Sequence, residues 1–179
     1  MAFAVPSSVY RFALGLMWGC MAFSALAQTQ EDLIDQDADW SEMLLTMPQG
    51  PKETALLPIQ VGPTASQRFF IDSQSVSVSK DGVVRYTLIS VGNGGAKNIS
   101  YEGLRCESRE KRLYAFGRPD GSWSKARSSS WGKINPKALN TQHATLANDY
   151  FCMASTVAGT AAQIVKRLRD NELLNAVKD

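Results

Sequence analysis

The sequence carries little net charge and almost no histidine. Its 19 lysine and arginine residues nearly balance its 17 aspartate and glutamate residues, which leaves a net charge of +2. Nucleic-acid-binding domains show a strong basic excess, so this balance argues against a nucleic-acid partner. The single histidine, His143, excludes any metal site that needs two histidines. We therefore expect no metal site, no other cofactor and no nucleic-acid partner.

The sequence also lacks an apolar run long enough to cross a membrane as a helix. The longest run, from Phe12 to Leu26, has about 15 residues, whereas a spanning helix needs about 20. It follows a single arginine and ends in a small-x-small pattern at Ala27. These features are typical of a secretory signal peptide cleaved after Ala27, so we predict a periplasmic protein with no integral membrane span after processing. The alternative is a lipoprotein anchored at Cys20.

Cysteine is scarce as well, with three residues in the whole chain. Cleavage after Ala27 would remove Cys20 and leave Cys106 and Cys152 in an oxidising compartment, where a cysteine pair usually forms a disulfide. No Cys-x-x-Cys spacing supports the alternative of a redox or nucleophilic cysteine. A Cys106–Cys152 disulfide is therefore predicted.

Composition divides the chain into three parts. Residues 1–27 are the predicted signal peptide. Residues 28–67 are acidic at first and then contain four of the seven prolines. Proline fixes φ and lacks a backbone donor, so this stretch is predicted to be an extended N-terminal arm on the surface of the domain. Residues 68–179 are predicted to form a single α+β domain.

Short β-branched runs separated by turn signals begin the predicted domain. Lys80-Asp81-Gly82 separates two such runs, which is the arrangement typical of a β-hairpin. Further turns are predicted at residues 92–98 and 118–121, where glycine is frequent. About five strands joined by tight turns indicate an antiparallel meander.

The apolar spacing becomes helical in the last quarter of the chain. His143, Leu146 and Tyr150 share one face of a helix that is predicted to begin at Asn135. A second helical pattern follows, and the last residues form a third helix or a tail. The predicted fold class is α+β, with an antiparallel sheet of about five strands and two or three C-terminal helices packed on one face. The disulfide would join the third strand to the first helix.

Two charges interrupt the apolar strands and form the first candidate site. A charge in a central strand is costly unless it is paired, so Arg85 and Glu102 are predicted to form a cross-strand ion pair. Strand alternation places Glu102 on the same face as Cys106, toward the helices. Tyr101 and Arg105 then lie on the opposite face, toward solvent or a ligand. A structural ion-pair network and a charged ligand pocket both remain open.

Two tryptophans form the second candidate site. Trp123 and Trp131 bracket a serine-rich stretch that contains Lys125 and Arg127. Aromatic side chains between cations pack against sheets, and they also bind sugars or anionic polymers. Both interpretations remain open.

Patterns of known catalytic sites are missing from the sequence. No H-E-x-x-H, G-x-x-x-x-G-K or G-x-S-x-G pattern occurs. Glu102, Arg85 and His143 are the acid–base candidates that remain. A lone histidine on an apolar helix face is more typical of a packed residue than of a catalytic one.

Four stretches carry a family resemblance: "DGVVRYTLIS", "GAKNISYEGLRC", "YAFGRPDGSW" and "DYFC". They resemble the cryptic neisserial protein-like family of exported proteobacterial proteins, from about Trp40 to Cys152. The resemblance implies a one-domain envelope protein with paired cysteines, Cys106 and Cys152, and it assigns no catalytic residue.

We therefore expect an exported cell-envelope protein that is a non-enzymatic periplasmic binding or assembly factor for an unknown envelope component or protein partner. The alternatives are a hydrolase or other enzyme acting on an envelope polymer and a lipid-anchored accessory protein.

Overall fold

The computed structural model of the protein describes residues 40–63, 65–137 and 141–175. The predicted signal peptide and Cys20 lie outside the described residues. Within the described ranges, no helix is long and apolar enough to cross a membrane. The strands are β1 Leu56–Ile59, β2 Gln67–Asp72, β3 Ser77–Val78, β4 Val83–Gly92, β5 Lys97–Arg105, β6 Glu110–Gly117, β7 Trp123–Lys125, β8 Gly132–Lys133, β9 Cys152–Met153 and β10 Thr156–Val157.

An antiparallel sheet dominates the described part of the chain. Its main path is β1-β2-β4-β5-β6-β7, with β3 paired to β4 and β8 paired to β6. The sheet confirms the α+β class and the predicted hairpin at Asp81-Gly82, since β3 and β4 flank that turn. With eight strands among the described residues it is larger than the five predicted.

The edge strand β1 shows why the strand count was underestimated. It lies in the proline-rich stretch and contains Pro58, which pairs with Phe70 of β2. Proline removes a ladder donor and is tolerated on an edge strand, where one side of the backbone faces no neighbour. Because proline argues against a central strand, the sequence pattern around Pro58 did not predict β1.

Two helical segments follow the sheet. The first has an α-helical turn, α1 (Gln142–Thr145), that continues as a π-helix over Leu146–Phe151. The second is α2 (Ala161–Asp170), whose N-terminus is capped by Thr160 in a capping box with Gln163.

The predicted helix start at Asn135 is wrong, because the first helix begins at Gln142. The Asn135 side chain instead accepts a hydrogen bond from the backbone N–H of Lys137, at 2.9 Å. An asparagine that bonds the backbone two residues on forms a turn, which competes with helix initiation at that position.

Both helical segments pack on one face of the sheet, as predicted. Tyr86 of β4 meets Phe151 edge-on, with ring centroids 5.1 Å apart. The Cys106–Cys152 disulfide is confirmed, with an S–S distance of 2.03 Å, and it joins the end of β5 to the end of the π-helix. The sheet residues of this core are Phe69, Ile71, Val84, Tyr86, Leu88, Leu104 and Cys106, and the helix residues are Leu146, Ala147, Tyr150, Phe151, Ile164 and Leu168.

Candidate functional site

The opposite face of the sheet carries arginines in its centre. Strand register aligns Arg85 of β4 with Gly103 of β5, and Gly103 with Arg112 of β6. Two guanidinium groups thus lie on one face on either side of a residue with no side chain. The hydroxyl of Tyr114 fills that space, because a Cβ at Gly103 would lie 2.2 Å from it. Gly103 is therefore the position that lets Tyr114 reach between the arginines.

The carboxylate of Glu42 occupies the centre of this face. Its Oε1 accepts a hydrogen bond from Arg85 Nη2 at 3.1 Å and another from the Tyr114 hydroxyl. Its Oε2 accepts from Arg112 Nη1 and from Trp131 Nε1, the latter at 3.3 Å. We call these four donor residues, Arg85, Arg112, Tyr114 and Trp131, the carboxylate clamp. The Glu42 side chain is only 14% exposed, so the clamp holds a largely desolvated anion.

Glu42 belongs to residues 40–48, here called the covering segment. Within it the structure contains no helix or strand. The β3–β4 turn fixes its beginning: Trp40 Nε1 donates to the backbone carbonyl of Asp81, and the Met43 N–H donates to the Asp81 carboxylate, both at 2.9 Å. At the other end, Trp123 Nε1 donates to the Pro48 carbonyl at 2.7 Å. The covering segment is thus attached by side chains rather than by strand pairing.

Asp81 links the clamp to the covering segment. Its carboxylate accepts from Arg85 Nη2 at 2.7 Å, and Arg85 also donates to Ser79. Burial raises the pKa of Asp81, but the hydrogen bonds from Arg85 and from the backbone of Met43 outweigh it, so its pKa lies below the ordinary aspartate value. Burial and the hydrogen bond to Glu42 raise the pKa of Tyr114 far above its ordinary value. Tyr114 is therefore a neutral hydrogen-bond donor to the Glu42 side chain.

Aromatic rings complete the seal over this face. The guanidinium of Arg105 lies 4.1 Å from the centroid of the Trp40 ring, and Trp40 meets Trp131 edge-on at 5.7 Å. Tyr101 packs against Trp123 at 5.9 Å. Tyr101 and Arg105 do lie on the face opposite the disulfide, as predicted, but each is only 3% exposed. The part of the expectation that places them toward solvent is wrong, because Trp40 of the covering segment lies over Arg105 and Trp123 packs against Tyr101. The alternative, a ligand on this face, stays a prediction.

The predicted Arg85–Glu102 ion pair does not form. The register pairs Arg85 with Gly103 and Tyr86 with Glu102, and directly opposed residues share a face. Arg85 and Glu102 therefore project from opposite faces of the sheet. Each still obeys the rule that a buried charge needs a partner, but the partners are different.

Glu102 pairs with His143 on the helix side. Its Oε2 lies 2.7 Å from His143 Nε2 and accepts from the Tyr86 hydroxyl at 3.1 Å, while Oε1 accepts from Ser100 Oγ at 2.7 Å. Burial raises the pKa of Glu102, but the interactions with His143 and Ser100 more than offset it and leave its pKa below the ordinary value. His143 borders a cavity of about 210 Å³ that Lys111 also lines. The structure thus brings two of the acid–base candidates together.

Sequence reasoning missed Glu42, Asp81, Arg112 and Tyr114 as site residues. Glu42 lies 43 residues from Arg85 and 70 residues from Arg112, so no local pattern links them. Arg112 follows Glu110 and Lys111 in a charged run, so its position in the sequence gives no signal of a buried site. No group of three potential metal ligands occurs among the residues that the structure describes.

The comparisons with known proteins give one match. The sequence model of the CNP1-like family matches residues 35–169, which include the sheet, the carboxylate clamp and both cysteines of the disulfide. The match confirms the resemblance predicted from the sequence. The comparison with curated proteins and the comparison with solved structures each gave no match.

Proposed function

Because the chain belongs to the CNP1-like family, we propose that it is an exported envelope protein, as the resemblance implies, and that it acts in the periplasm as a non-enzymatic binding or assembly factor. Its ligand would be a partner that presents a carboxylate to the clamp. Glu42 would then be the resident group that this carboxylate replaces.

The observation that carries the proposal is the clamp around Glu42. Arginine and other donors fixed by a sheet are well suited to a carboxylate, and charge-assisted hydrogen bonds are roughly twice as strong as neutral ones. If Glu42 were removed, Arg85 would keep Asp81 as its ion-pair partner. Arg112 would lose its carboxylate partner, and Tyr114 and Trp131 would lose their hydrogen-bond acceptor. The empty clamp would therefore carry unsatisfied donors, which favour the entry of another anion.

The covering segment makes such an exchange feasible. It has no strand partner, and its anchors are a few side-chain hydrogen bonds and ring contacts. Segments held by few contacts open at lower free energy than core strands. A partner with a carboxylate and an apolar side chain nearby would replace both Glu42 and Trp40.

A labelled peptide with the sequence of residues 38–48 tests this exchange. We expect it to bind the full-length mature protein with Glu42→Gln more tightly than wild type, because the resident competitor is weakened. Arg112→Gln should abolish that binding, whereas Arg118→Gln, a matched change in an exposed turn, should not. The same peptide with glutamine at position 42 is the ligand control. Equal binding of the two peptides, or no effect of Arg112→Gln, would refute the proposed clamp.

Export is tested separately by the mass of the protein recovered from the periplasm. A chain that begins at Gln28 supports the proposed localisation. An acylated chain that begins at Cys20 would support the lipid-anchored alternative instead.

The Glu102–His143 contact favours an enzyme as the second candidate function. A carboxylate 2.7 Å from an imidazole orients the ring, as in general acid–base catalysis. Lys111 and Lys133 line the adjoining cavity and would attract an anionic polymer. His143→Gln should then abolish the release of soluble fragments from purified envelope polymer while leaving the folded protein intact. If wild type and His143→Gln release equal amounts of soluble fragments, or if neither releases any, the enzyme candidate is refuted.

A further inference from the structure

A second cavity lies beside the carboxylate clamp, between the covering segment and the strands β6 and β7. Its volume is about 420 Å³, within the range of about 300–1,000 Å³ that is usual for small-molecule sites. The covering segment forms one wall with four apolar side chains and with Glu42, whose carboxylate is held by the clamp. Strands β6 and β7 contribute cations to the other wall. The wall residues used below are Met43, Leu44, Leu45, Met47, Arg112 and Lys125.

The apolar wall is exposed to an unusual degree. Leu44 is fully exposed and Met43 is 47% exposed, although both lie next to other apolar side chains of the cavity. Methionine is flexible and polarizable, so it adapts to chains of different shape. Contiguous apolar side chains rimmed by polar groups mark binding sites more often than single exposed residues do.

The opposite wall supplies a positive charge that has no ion-pair partner in the part of the chain that the structure describes. Among the residues described by the structure, no carboxylate lies within ion-pair distance of Lys125, whereas Arg112 is already bound to Glu42 and Ser129. Lys125 is exposed at the cavity, so its ammonium group is available to an incoming anion. An apolar wall with one available cation is complementary to a hydrocarbon chain that ends in an anionic group.

We propose that this cavity binds an anionic amphiphile with a single acyl chain. The chain lies against Met43, Leu44, Leu45 and Met47, and the headgroup pairs with Lys125. Because the covering segment forms one wall, this ligand requires the segment in place. A carboxylate that enters the clamp requires the segment displaced, so the two ligands would exclude each other. The amphiphile site does not depend on the proposed exchange at the clamp.

Calorimetric titration of the full-length mature protein tests the site, with each carboxylate probe below its critical micelle concentration and dodecanol below its solubility limit. The probes are laurate, octanoate and dodecanol, which separate the contribution of the chain from that of the charge. Each buried methylene group should tighten binding about fourfold until the cavity is full. Laurate should therefore bind well over tenfold more tightly than octanoate. It should bind about two- to fivefold more tightly than dodecanol, which is the effect expected of an ion pair with an exposed lysine.

Variants at the two walls complete the test. Lys125→Gln should reduce laurate affinity to the level of dodecanol, whereas Lys80→Gln, an equal loss of charge at another exposed position, should change nothing. Leu44→Gln should weaken the binding of laurate and of dodecanol to the same extent. The Leu44 side chain is fully exposed, so this change should not affect folding. Equal affinity of wild type for laurate and dodecanol, or no binding of laurate, would overturn the proposal.

Two further outcomes would also overturn it, and each points elsewhere. If Glu42→Gln increases the affinity for laurate while Lys125→Gln leaves it unchanged, the laurate carboxylate has entered the clamp. That outcome would support the proposed function but not the amphiphile site. If sedimentation shows a dimer that Leu44→Gln dissociates, the apolar wall belongs to an interface between two copies of the chain.

Discussion

The two faces of the sheet are covered by different means. On the helix side, α2 and the π-helix bury apolar side chains, and the Cys106–Cys152 bridge ties the helix end to β5. On the other side, the covering segment is held by the carboxylate of Glu42 and by aromatic rings over arginines. Apolar burial is non-directional and tolerates exchange of one side chain for another. A buried charge tolerates no exchange unless a new partner replaces the old one.

This difference predicts that the helix side of the sheet is stable and that the covering segment on the other side is able to open. The helix side is attached by the disulfide, by apolar burial and by the Glu102–His143 contact, so we expect it to open only with the whole domain. The covering segment has hydrogen bonds from a few side chains, so its opening requires less free energy. An anion that satisfies the clamp would compensate for the contacts that are lost. The face sealed by charge is therefore the face where we expect binding.

The largest effect should come from the disulfide on the helix side. Cys106→Ala with Cys152→Ala removes a bridge between residues 46 apart, and the chain-entropy model assigns about 4 kcal/mol to a loop of this length. We expect the free energy of unfolding to fall by about 2–4 kcal/mol in urea titrations. Reduction of the wild-type protein is the control and should give a similar loss. Unchanged stability in both would contradict the role assigned to the bridge.

The next effect should come from Gly103, at the centre of the clamp face. In Gly103→Ala the new Cβ would lie 2.2 Å from the Tyr114 hydroxyl oxygen and 2.9 Å from its ring carbon Cζ. Tyr114 must move, and overpacking of this kind costs about 1–3 kcal/mol. Adding Tyr114→Phe should restore part of the stability, since the shortest contact disappears. A double variant no more stable than Gly103→Ala would show that the glycine matters for another reason.

Glu42→Gln should destabilise the clamp face by about 2 kcal/mol, because it removes the charge that Arg85 and Arg112 share while keeping the shape. Glu53→Gln is a matched control. Glu53 pairs with Lys97 at the surface and is 78% exposed, so its loss should cost less than about 0.5 kcal/mol. Unfolding in urea, followed by tryptophan fluorescence, measures both. Equal losses would mean that the clamp contributes no more than a surface ion pair.

The smallest effect should appear in acid. Glu102 on the helix side and Asp81 on the clamp face both have pKa values below their ordinary values. Each carboxyl binds its proton less tightly in the folded protein than in the unfolded chain. Its contribution is therefore complete above the ordinary value, 4.5 for glutamate, and is lost as the pH falls through the lower folded value.

His143→Gln separates the two faces in this experiment. It removes the strongest influence that lowers the pKa of Glu102, and it leaves Asp81 untouched. Acid unfolding monitored by circular dichroism should then begin at a higher pH than in wild type. An unchanged acid transition would place the pH dependence on the clamp face alone.

Local patterns in the sequence were enough to predict several elements. Asp81-Gly82 predicted the β3–β4 hairpin, because this dipeptide between two strand-like runs favours a tight turn and Gly82 adopts the positive φ it needs. The helical spacing of Leu146 and Tyr150 predicted which residues pack on the sheet, and both are fully buried. The cysteine pair was predicted by elimination, because a predicted signal peptide that ends at Ala27 would remove Cys20. Local pattern also produced the wrong helix start at Asn135, because an asparagine side chain favours a turn as readily as a helix start.

The sequence by itself determined the antiparallel α+β class, the disulfide and the face on which Glu102 and Cys106 lie. These follow from spacings of two to four residues and from the pairing of two cysteines. Only the tertiary structure decided that Arg85 pairs with Glu42 and Asp81, and that Glu102 pairs with His143. The physical reason is that a charge is satisfied by any opposite charge within reach, and strand register and chain path decide which one that is. Glu42 lies up to 89 positions from the clamp residues that hold it, so no local pattern in one sequence encodes the contact.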